Sequence, residues 1–534
     1  MDILASINRR ITAQSARADA RQVRNNAGGF TFPVTPEVRL RRFLTLGTDG
    51  GTYYVNATEL TRDNAEVVVH FAQERCAELV AEIVAISTAG RAPKQNPALF
   101  ALAAATALGD EEGRRLALDA LPAVARTGTH LFLFARYVEQ FRGWGRGLRR
   151  AVAGWYTAKS VDDLAFQAVK YRQREGWTHR DLLRLSHPVT GEDDRKRLFD
   201  WICGRAADLD GLRLIEGFQR ASAAAPEDVA ELVREYGLSW EMLPDAALAE
   251  PAVWEALLDN GLPQTALLRQ LPRLTRLGLL APLGERTAAV AARLSDPVRL
   301  RKARVHPIQV LVALRTYAGG HGARGSGKWA PSTPILDALD AAFYAAFESV
   351  EPTGKRHLLA LDVSGSMTRA VSGLPISARE ASAALALVTA ATEPAHTMLG
   401  FTGGGNDPWK PDHRALSPLP IGPRMRLDDA VRAVSNLPFG ATDCALPMRW
   451  ALEHEVEIDV FTVYTDNETW AGTMHPHQAL RRYRERINPH AKLVVVGMTA
   501  TNFSIADPSD AGMLDVAGFD AAVPALLADF ARGA

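Results

Sequence analysis

HLLALDVSGSM, residues His357–Met367, is a short apolar run that ends in an aspartate followed by two serines at alternate positions. A run of this length, bounded by small polar residues, has the character of a buried strand. Three more such runs follow it: Thr397–Phe401 (TMLGF), Val460–Tyr464 (VFTVY) and Lys492–Met498 (KLVVVGM). Segments with helical patterning lie between and around them, at Ala378–Thr392, Leu427–Ser435, Ala445–Glu453 and His477–Glu485. Strand alternating with helix predicts an open, doubly wound α/β domain of Rossmann-like type, and such sheets carry their ligand sites beyond the carboxyl ends of the strands. The texture changes near Gly354, so the boundary of this domain is expected near residue 355.

The string Asp362-Val363-Ser364-Gly365-Ser366 sits at such a strand end, where the chain can turn three oxygens toward one point. Two later loops offer more oxygen donors: Thr442 in Gly440-Ala441-Thr442-Asp443, and Asp466 directly after the third strand. Hard divalent cations take oxygen ligands and keep some water, so Asp362, Ser364, Ser366, Thr442 and Asp466 are the candidate ligands of Mg²⁺, with Mn²⁺ or Ca²⁺ as alternatives. An aspartate–serine string also arises as a plain helix cap. Phosphatase chemistry would call for a second carboxylate two residues after the first, and Ser364 stands there. A two-metal nuclease would need clustered carboxylates, more than this site supplies, so the chain is expected not to be an enzyme.

Upstream, residues from about 60 to 345 read as one helix after another. Asn64–Ala89, Asp163–Tyr171, Val229–Tyr236 and Pro251–Leu257 show apolar residues at helical spacing, with Gly and Pro between the windows. A long run of helices with short connections predicts stacked helix pairs, as in a solenoid, although no clean internal period marks the repeats. The 534 residues carry 61 basic and 61 acidic side chains, so net charge names no partner. Three scattered cysteines, Cys76, Cys203 and Cys444, make neither a zinc spacing nor a disulfide framework, which fits a reducing cytoplasm. The longest apolar stretch, Pro97–Leu108, is too short to cross a bilayer, so no membrane role is expected. Arg9, Arg10, Arg17 and Arg21 make residues 1–21 a basic arm, read as frayed.

Charge gathers in two places in the helical half. Residues 142–187 hold ten Lys and Arg against four acids, with Trp144, Trp155, Tyr156, Tyr171 and Trp177 interleaved. Lys170 and Arg174 are four apart and on a helix would share one face. Such a face can neutralise phosphates, and aromatic neighbours can stack bases, although charged helix faces are commonly only solvated and tryptophans commonly fill cores. Arg142, Arg146, Arg149, Arg172 and Arg180 join the candidate RNA-binding set on charge. The second place, Arg299–Lys328, carries seven Lys and Arg and no acid. Within it, Gly322–Lys328 (GARGSGK) imitates a phosphate-binding loop, but Trp329 stands where Ser or Thr would meet Mg²⁺ and a helical segment precedes it.

Longer strings carry a family resemblance. Gln22–Tyr54, Val169–His187 (VKYRQREGWTHRDLLRLSH), Lys302–Trp329, Val350–Met367, Gly440–Pro447 (GATDCALP), Tyr464–Trp470 (YTDNETW) and Lys492–Phe519 together resemble the Ro ribonucleoprotein autoantigen family in its bacterial branch. That resemblance implies a multidomain protein: an all-α, HEAT-like helical-repeat ring called the TROVE domain (22–355), then a von Willebrand A domain (356–534) with a metal-ion-dependent adhesion site. It implies that Y RNAs bind the outer surface through Lys170, Arg174 and His187. It further implies that single-stranded 3′ ends of misfolded or structured RNAs enter a central hole, in RNA quality control and stress survival. Polynucleotide phosphorylase is the implied exoribonuclease partner, an acidic protein group the implied ligand in trans of the metal, and a monomer the implied state. Ala441 replaces a glycine usual before Thr442 and leaves the ligands intact. The alternative is a metal-dependent protein-interaction module to which RNA binding is incidental.

Overall fold

The structure is a computed structural model that describes residues 11–47, 57–205, 208–322, 327–347, 351–371, 376–403, 415–422, 425–435 and 440–533. Residues 48–54, 323–326 and 350 of the family-like strings lie outside these, as do Arg9 and Arg10 of the basic arm.

Two short strands near the start, β1 (Val23–Arg24) and β2 (Phe30–Pro33), precede a helix, Pro36–Leu46. A hairpin of β3 (Gln173–Arg174) and β4 (Trp177–Thr178) interrupts the helices that follow. The C-terminal half holds β5 (His357–Asp362), β6 (His396–Phe401), β7 (Leu416–Pro418), β8 (Val460–Thr465), β9 (Lys492–Gly497), β10 (Phe503–Ser504) and β11 (Met513–Ala517). Its sheet runs in the order β11-β9-β8-β5-β6-β7, parallel throughout except for β7 at one edge. Strands β5, β8 and β9 are buried almost end to end, as expected of a sheet covered on both faces. The chain leaves β5 toward β6 on one side and returns to β8 on the other, so the switch point of the sheet lies between the ends of β5 and β8. The edge strands β7 and β11 leave no clear mark in the sequence, because Leu416–Pro418 and Met513–Ala517 lack a continuous apolar run.

The helical half is a stack in which neighbours in sequence pack on one another. Helix Asn96–Leu108 packs on Glu111–Asp119 and Gly128–Phe141, Glu111–Asp119 on Arg146–Thr157, and Arg146–Thr157 on His179–Ser186. Farther along, Arg213–Ala223, Val229–Tyr236 and Pro251–Asp259 continue the series. Side-chain caps start these helices: Asp110, Thr127 and Ser160 each accept a backbone N–H of the first turn, and Thr178 forms a capping box with Asp181. The end of the stack returns to its beginning. Arg304 Nε donates to Thr88 O at 2.7 Å and Gln309 Nε2 to Pro93 O at 3.4 Å, so the helical layer closes on itself.

The two halves are joined by buried polar groups. Arg42, 0 % exposed, donates to Thr501 O and Phe503 O at 2.8 Å each and pairs with Asp515. Arg91 Nε donates to Asp520 Oδ1 at 2.9 Å. His306 Nε2 lies 3.0 Å from Arg91 O and 2.8 Å from Phe519 O, while its Nδ1 accepts from Ile308 N–H at 3.1 Å. Since carbonyls only accept, the proton of the neutral ring sits on Nε2.

The basic arm is not frayed from Ile11 onward. Gln14 is fully buried against the C-terminal half, Thr12 N–H donates to Gln478 Oε1 at 3.1 Å, and β2 pairs antiparallel with β10. Residues 11–33 therefore fasten onto the von Willebrand A-like half. Local sequence pattern carries no sign of this, because the contacts cross more than 400 positions of the chain.

Burial pushes the His306 imidazole down to about 4 from its ordinary 6.5. A depressed folded-state value means that His306 stabilises the joint fully above pH 6.5 and loses that contribution as pH falls toward 4. The wild type is expected to melt above His306→Gln at neutral pH, with the gap narrowing between pH 6.5 and 4, as thermal unfolding of both proteins across that range will test. Arg42→Ala, which leaves Asp515 without its guanidinium partner, is expected to destabilise by about 3–5 kcal/mol, read from chemical denaturation of the full chain.

Candidate metal centre and nucleic-acid interface

At the switch point, Asp362 ends β5 and the chain turns through Ser364 into a single 3₁₀ turn, Gly365–Thr368. Asp362 Oδ1 accepts from Ser364 N–H at 2.9 Å, and its Oδ2 accepts from the Thr465 hydroxyl at 2.7 Å. The Ser364 and Ser366 hydroxyls are 3.1 Å apart. Ser366 in turn hydrogen-bonds Asp466, whose Oδ1 accepts from Glu468 N–H at 3.1 Å. Thr442 is buried on the neighbouring loop, where its carbonyl accepts from Trp470 N–H at 3.1 Å and Ala471 N–H at 3.0 Å. Gly440 O of that loop accepts from Gly365 N–H at 3.4 Å. The structure thus links Asp362, Ser364, Ser366 and Asp466 through contiguous contacts and sets Thr442 on a loop pinned beside them.

The electrostatics suit a cation. Burial raises the Asp362 carboxyl, and burial followed by the Asp362 charge pushes Asp466 up to about 7. Burial then the Asp466 charge pushes Glu468 up to about 8, and burial pushes Asp443 up to about 6. Carboxylates held in this way gain from a divalent ion, which favours their charged form. The Arg379 guanidinium, whose charge lowers the Asp362 carboxyl against its burial, donates to Val363 O and Ser364 O. Among the described residues, no three His, Cys, Asp or Glu side chains converge on one point. The donors linked here, on Asp362, Ser364, Ser366 and Asp466, are carboxylate and hydroxyl oxygens, the set a hard cation prefers. With Thr442 on the adjoining loop, they are the residues that would hold such an ion. Thr465, Arg379 and Glu468 do not stand out in the sequence as site residues, although Thr465 and Glu468 lie within the YTDNETW string.

In the helical half the basic stretch is split by the fold. Helix Val161–Lys170 ends at Lys170, and Glu175 and Gly176, both at positive φ, form the two-residue turn of the β3–β4 hairpin. Lys170 and Arg174 therefore do not share a helix face. Lys170 Nζ pairs with Glu241 at 2.8 Å and lies over the Phe166 ring. Arg174 is exposed on the hairpin, and its Nη1 donates to its neighbour's carbonyl, Gln173 O, at 3.1 Å. Arg172 is exposed and lies 4.6 Å from the Phe218 ring centre, while Glu175 pairs with Arg136. Arg180 is exposed on the helix His179–Ser186, and His187 caps the end of that helix in the left-handed conformation, φ 46°.

Trp177 of the hairpin meets Trp144 with ring centroids 5.5 Å apart, which brings the 142–150 arginines beside the hairpin. Arg142, Arg146 and Arg149 are exposed there, and Arg142 is steadied by Thr106 O at 3.0 Å. Arg142, Arg146 and Arg150, together with Arg114 and Arg115, line a groove of about 1080 Å³ between helices Glu111–Asp119 and Arg146–Thr157. Trp155 and Tyr156 are core instead: both are fully buried, with Trp155 Nε1 donating to Ala125 O and the Tyr156 hydroxyl 2.8 Å from His179 Nδ1. In the second basic stretch Arg299 pairs with Asp296 on its own helix, while Arg304 bonds Thr88 O and Arg315 pairs with Glu380, both across to other elements. The Gly322–Lys328 string follows helix Pro307–Ala318 and no strand, so it lacks the setting of a phosphate-binding loop.

Thr465→Val removes a hydroxyl that donates to a buried carboxylate, and is expected to destabilise by about 1–3 kcal/mol, measurable by thermal melting of the full chain.

Comparison with known proteins places this architecture. The TROVE domain model matches residues 23–316 and the Ro60 vWA domain model residues 356–531. An RNA-binding protein RO60 of Deinococcus radiodurans is 43% identical over 540 residues, spanning 100% of this chain and 99% of that protein. The RNA-binding protein RO60 of Caenorhabditis elegans is 36% identical, spanning 98% of this chain and 92% of that one. A crystal structure of the Deinococcus radiodurans RO (RSR) protein superposes with a TM-score of 0.70 at 42% identity, covering 93% of this chain and 100% of that chain. A closed helical half fastened to an A-type sheet, matched along its whole length by these relatives, makes the chain a member of the Ro60 family of TROVE and von Willebrand A domain proteins.

Proposed function

We propose that this protein is a non-catalytic RNA-binding protein. Its outer surface around residues 142–187 takes a small structured Y RNA, and single-stranded 3′ ends of misfolded or damaged RNAs enter the centre of its helical layer. The observation that carries this reading is the surface around the Trp144–Trp177 contact. There Arg146, Arg149, Arg172, Arg174 and Arg180 are exposed with no acidic partner among the described residues, and His187 is exposed at the far end of the helix that carries Arg180. Guanidiniums of this kind neutralise phosphates and release counterions, which gives salt-dependent and sequence-tolerant affinity. A hairpin tip next to helix ends suits the irregular shape of a folded RNA better than a flat charged face does. Lys170, already paired with Glu241, contributes by holding the end of its helix against the turn Trp240–Met242. In the cell the bound RNA would pass to a 3′ exoribonuclease such as polynucleotide phosphorylase, in cytoplasmic RNA quality control.

The cation site carries a second role. Asp362, Ser364, Ser366, Thr442 and Asp466 would hold Mg²⁺ or a similar ion, whose chemistry is that of a Lewis acid for an acidic group on a partner protein. If RNA binding were incidental to that role, Asp362→Ala would abolish partner capture and leave RNA affinity unchanged.

The test is a salt series with an end-labelled duplex bearing a single-stranded 3′ tail, and a tail-less duplex as control. Arg172→Ala/Arg174→Ala/Arg180→Ala is expected to weaken binding and to flatten the slope of log affinity against log salt by about 0.9 for each phosphate no longer neutralised. The tailed RNA is expected to bind more tightly. Wild-type protein that binds neither RNA would overturn the proposal, and an unchanged slope in the triple variant would move the interface elsewhere.

A further inference from the structure

The N-terminal segment, far from the candidate metal ligands in sequence, is built into two of the three loops that carry them, those of Thr442 and Asp466. Gln14 is fully buried between those loops. Its Nε2 donates to Asp443 Oδ1 at 2.6 Å and to Met474 O at 2.8 Å, and its Oε1 accepts from the Thr469 hydroxyl. Gln14 N–H donates to Gly472 O at 2.9 Å. One side chain thereby ties the residue after Thr442 to the loop that follows Asp466. The segment then returns for a second set of contacts. Asn25 Nδ2 donates to Thr469 O at 2.8 Å, Asn26 Nδ2 to Glu468 Oε1 at 2.7 Å, and Ala27 N–H to Glu468 Oε2 at 3.0 Å. Gly29 lies so close that a Cβ there would stand 2.0 Å from Thr469 O, so only glycine permits the approach.

We propose that residues 14–29 are a positioning element of the cation site: they set the loops bearing Thr442 and Asp466, so that cation binding and docking of this segment are one coupled equilibrium. The inference rests on the reading of residues 362, 364, 366, 442 and 466 as cation ligands. None of Gln14, Asn25 or Asn26 belongs to that ligand set, so each acts through the loop it holds. The coupling is reciprocal by thermodynamic necessity. Whatever factor the docked segment adds to cation affinity, the cation adds to docking. The segment leads directly into β2, which pairs with β10, and on to the helix that bears Arg42. Cation occupancy at the carboxyl ends of the central strands is thereby linked to the joint between the two halves.

The experiment uses the full chain with Mn²⁺ as the probe, its free concentration followed by electron paramagnetic resonance, together with hydrogen exchange of the amides of Gln14, Ala27 and Phe30. In the wild type, saturating Mn²⁺ is expected to slow exchange of these amides by a factor of about 5–150. Gln14→Ala/Asn26→Ala is expected to weaken Mn²⁺ binding by a similar factor. Asp362→Ala should abolish both the uptake and the protection. Mn²⁺ uptake that depends on Asp362 but leaves the exchange of all three amides unchanged would overturn the coupling while sparing the cation site. No Mn²⁺ uptake by the wild type would overturn both. The exchange measurement needs no variant, so misfolding of Gln14→Ala/Asn26→Ala cannot hide the answer.

Discussion

A guanidinium shut away from water sets how the two halves of this protein meet. Arg42 belongs to the helical half, yet its hydrogen-bond acceptors among the described residues, Thr501 O, Phe503 O and Asp515, belong to the other. Apolar side chains such as Phe32, Phe503 and Phe519, each almost completely buried, supply the drive to associate. That drive is non-directional and would tolerate many registers. A buried charge tolerates very few, because any docking that covers Arg42 without its acceptors costs several kcal/mol. His306 adds a second directional contact, since its two ring nitrogens face one donor and two acceptors drawn from both halves.

From that joint the placement of both candidate sites follows. The helical layer closes where Arg304 and His306 reach Thr88 and Arg91, close to the point where Arg91 pairs with Asp520. Closure and clasping are thus one set of contacts. On the other side of the joint, β2 and β10 hold the N-terminal segment, whose Gln14, Asn25 and Asn26 meet the loops of the cation site at the carboxyl ends of the strands. The basic surface lies apart from these, on the hairpin and helix ends of residues 142–187. Within residues 299–315, equally conspicuous in composition, Arg304 and Arg315 are engaged in holding the structure together. Charge density alone does not distinguish a surface that binds a polyanion from one that holds a fold, and the distinction lies in which cations already have partners.

How far the fold is readable from sequence differs between the halves for a physical reason. Strands β5, β6, β8 and β9 are buried on both faces and therefore appear as continuous apolar runs, with bounds that differ from the expected ones by a residue or so. The edge strands β7 and β11 are only half covered and carry no such run. In the cation site, Asp362, Ser364 and Ser366 are neighbours in sequence and are legible as a motif. Thr465 is placed beside Asp362 only by the register of β8 against β5. The expectation that Lys170 and Arg174 share one helix face fails on local grounds, because the helix ends at Lys170 and Arg174 belongs to a hairpin strand turned by Glu175-Gly176.

Taken by itself, the sequence determined what depends on short-range pattern: a succession of amphipathic helices, an alternation of strand and helix after residue 355, an oxygen-rich string at a strand end, and a family signature spread over the chain. Periodicity, capping and turn chemistry act over a few residues, so they can be read without coordinates. The tertiary structure alone decided that the helical layer closes, that residues 11–33 belong to the opposite half, and which basic residues stay without acidic partners. Those outcomes depend on contacts between residues hundreds of positions apart, such as Gln14 with Asp443 and Arg42 with Asp515. No local preference encodes a distant partner; the burial of polar groups selects it, because once dehydrated each must find a donor or acceptor wherever the chain has brought one.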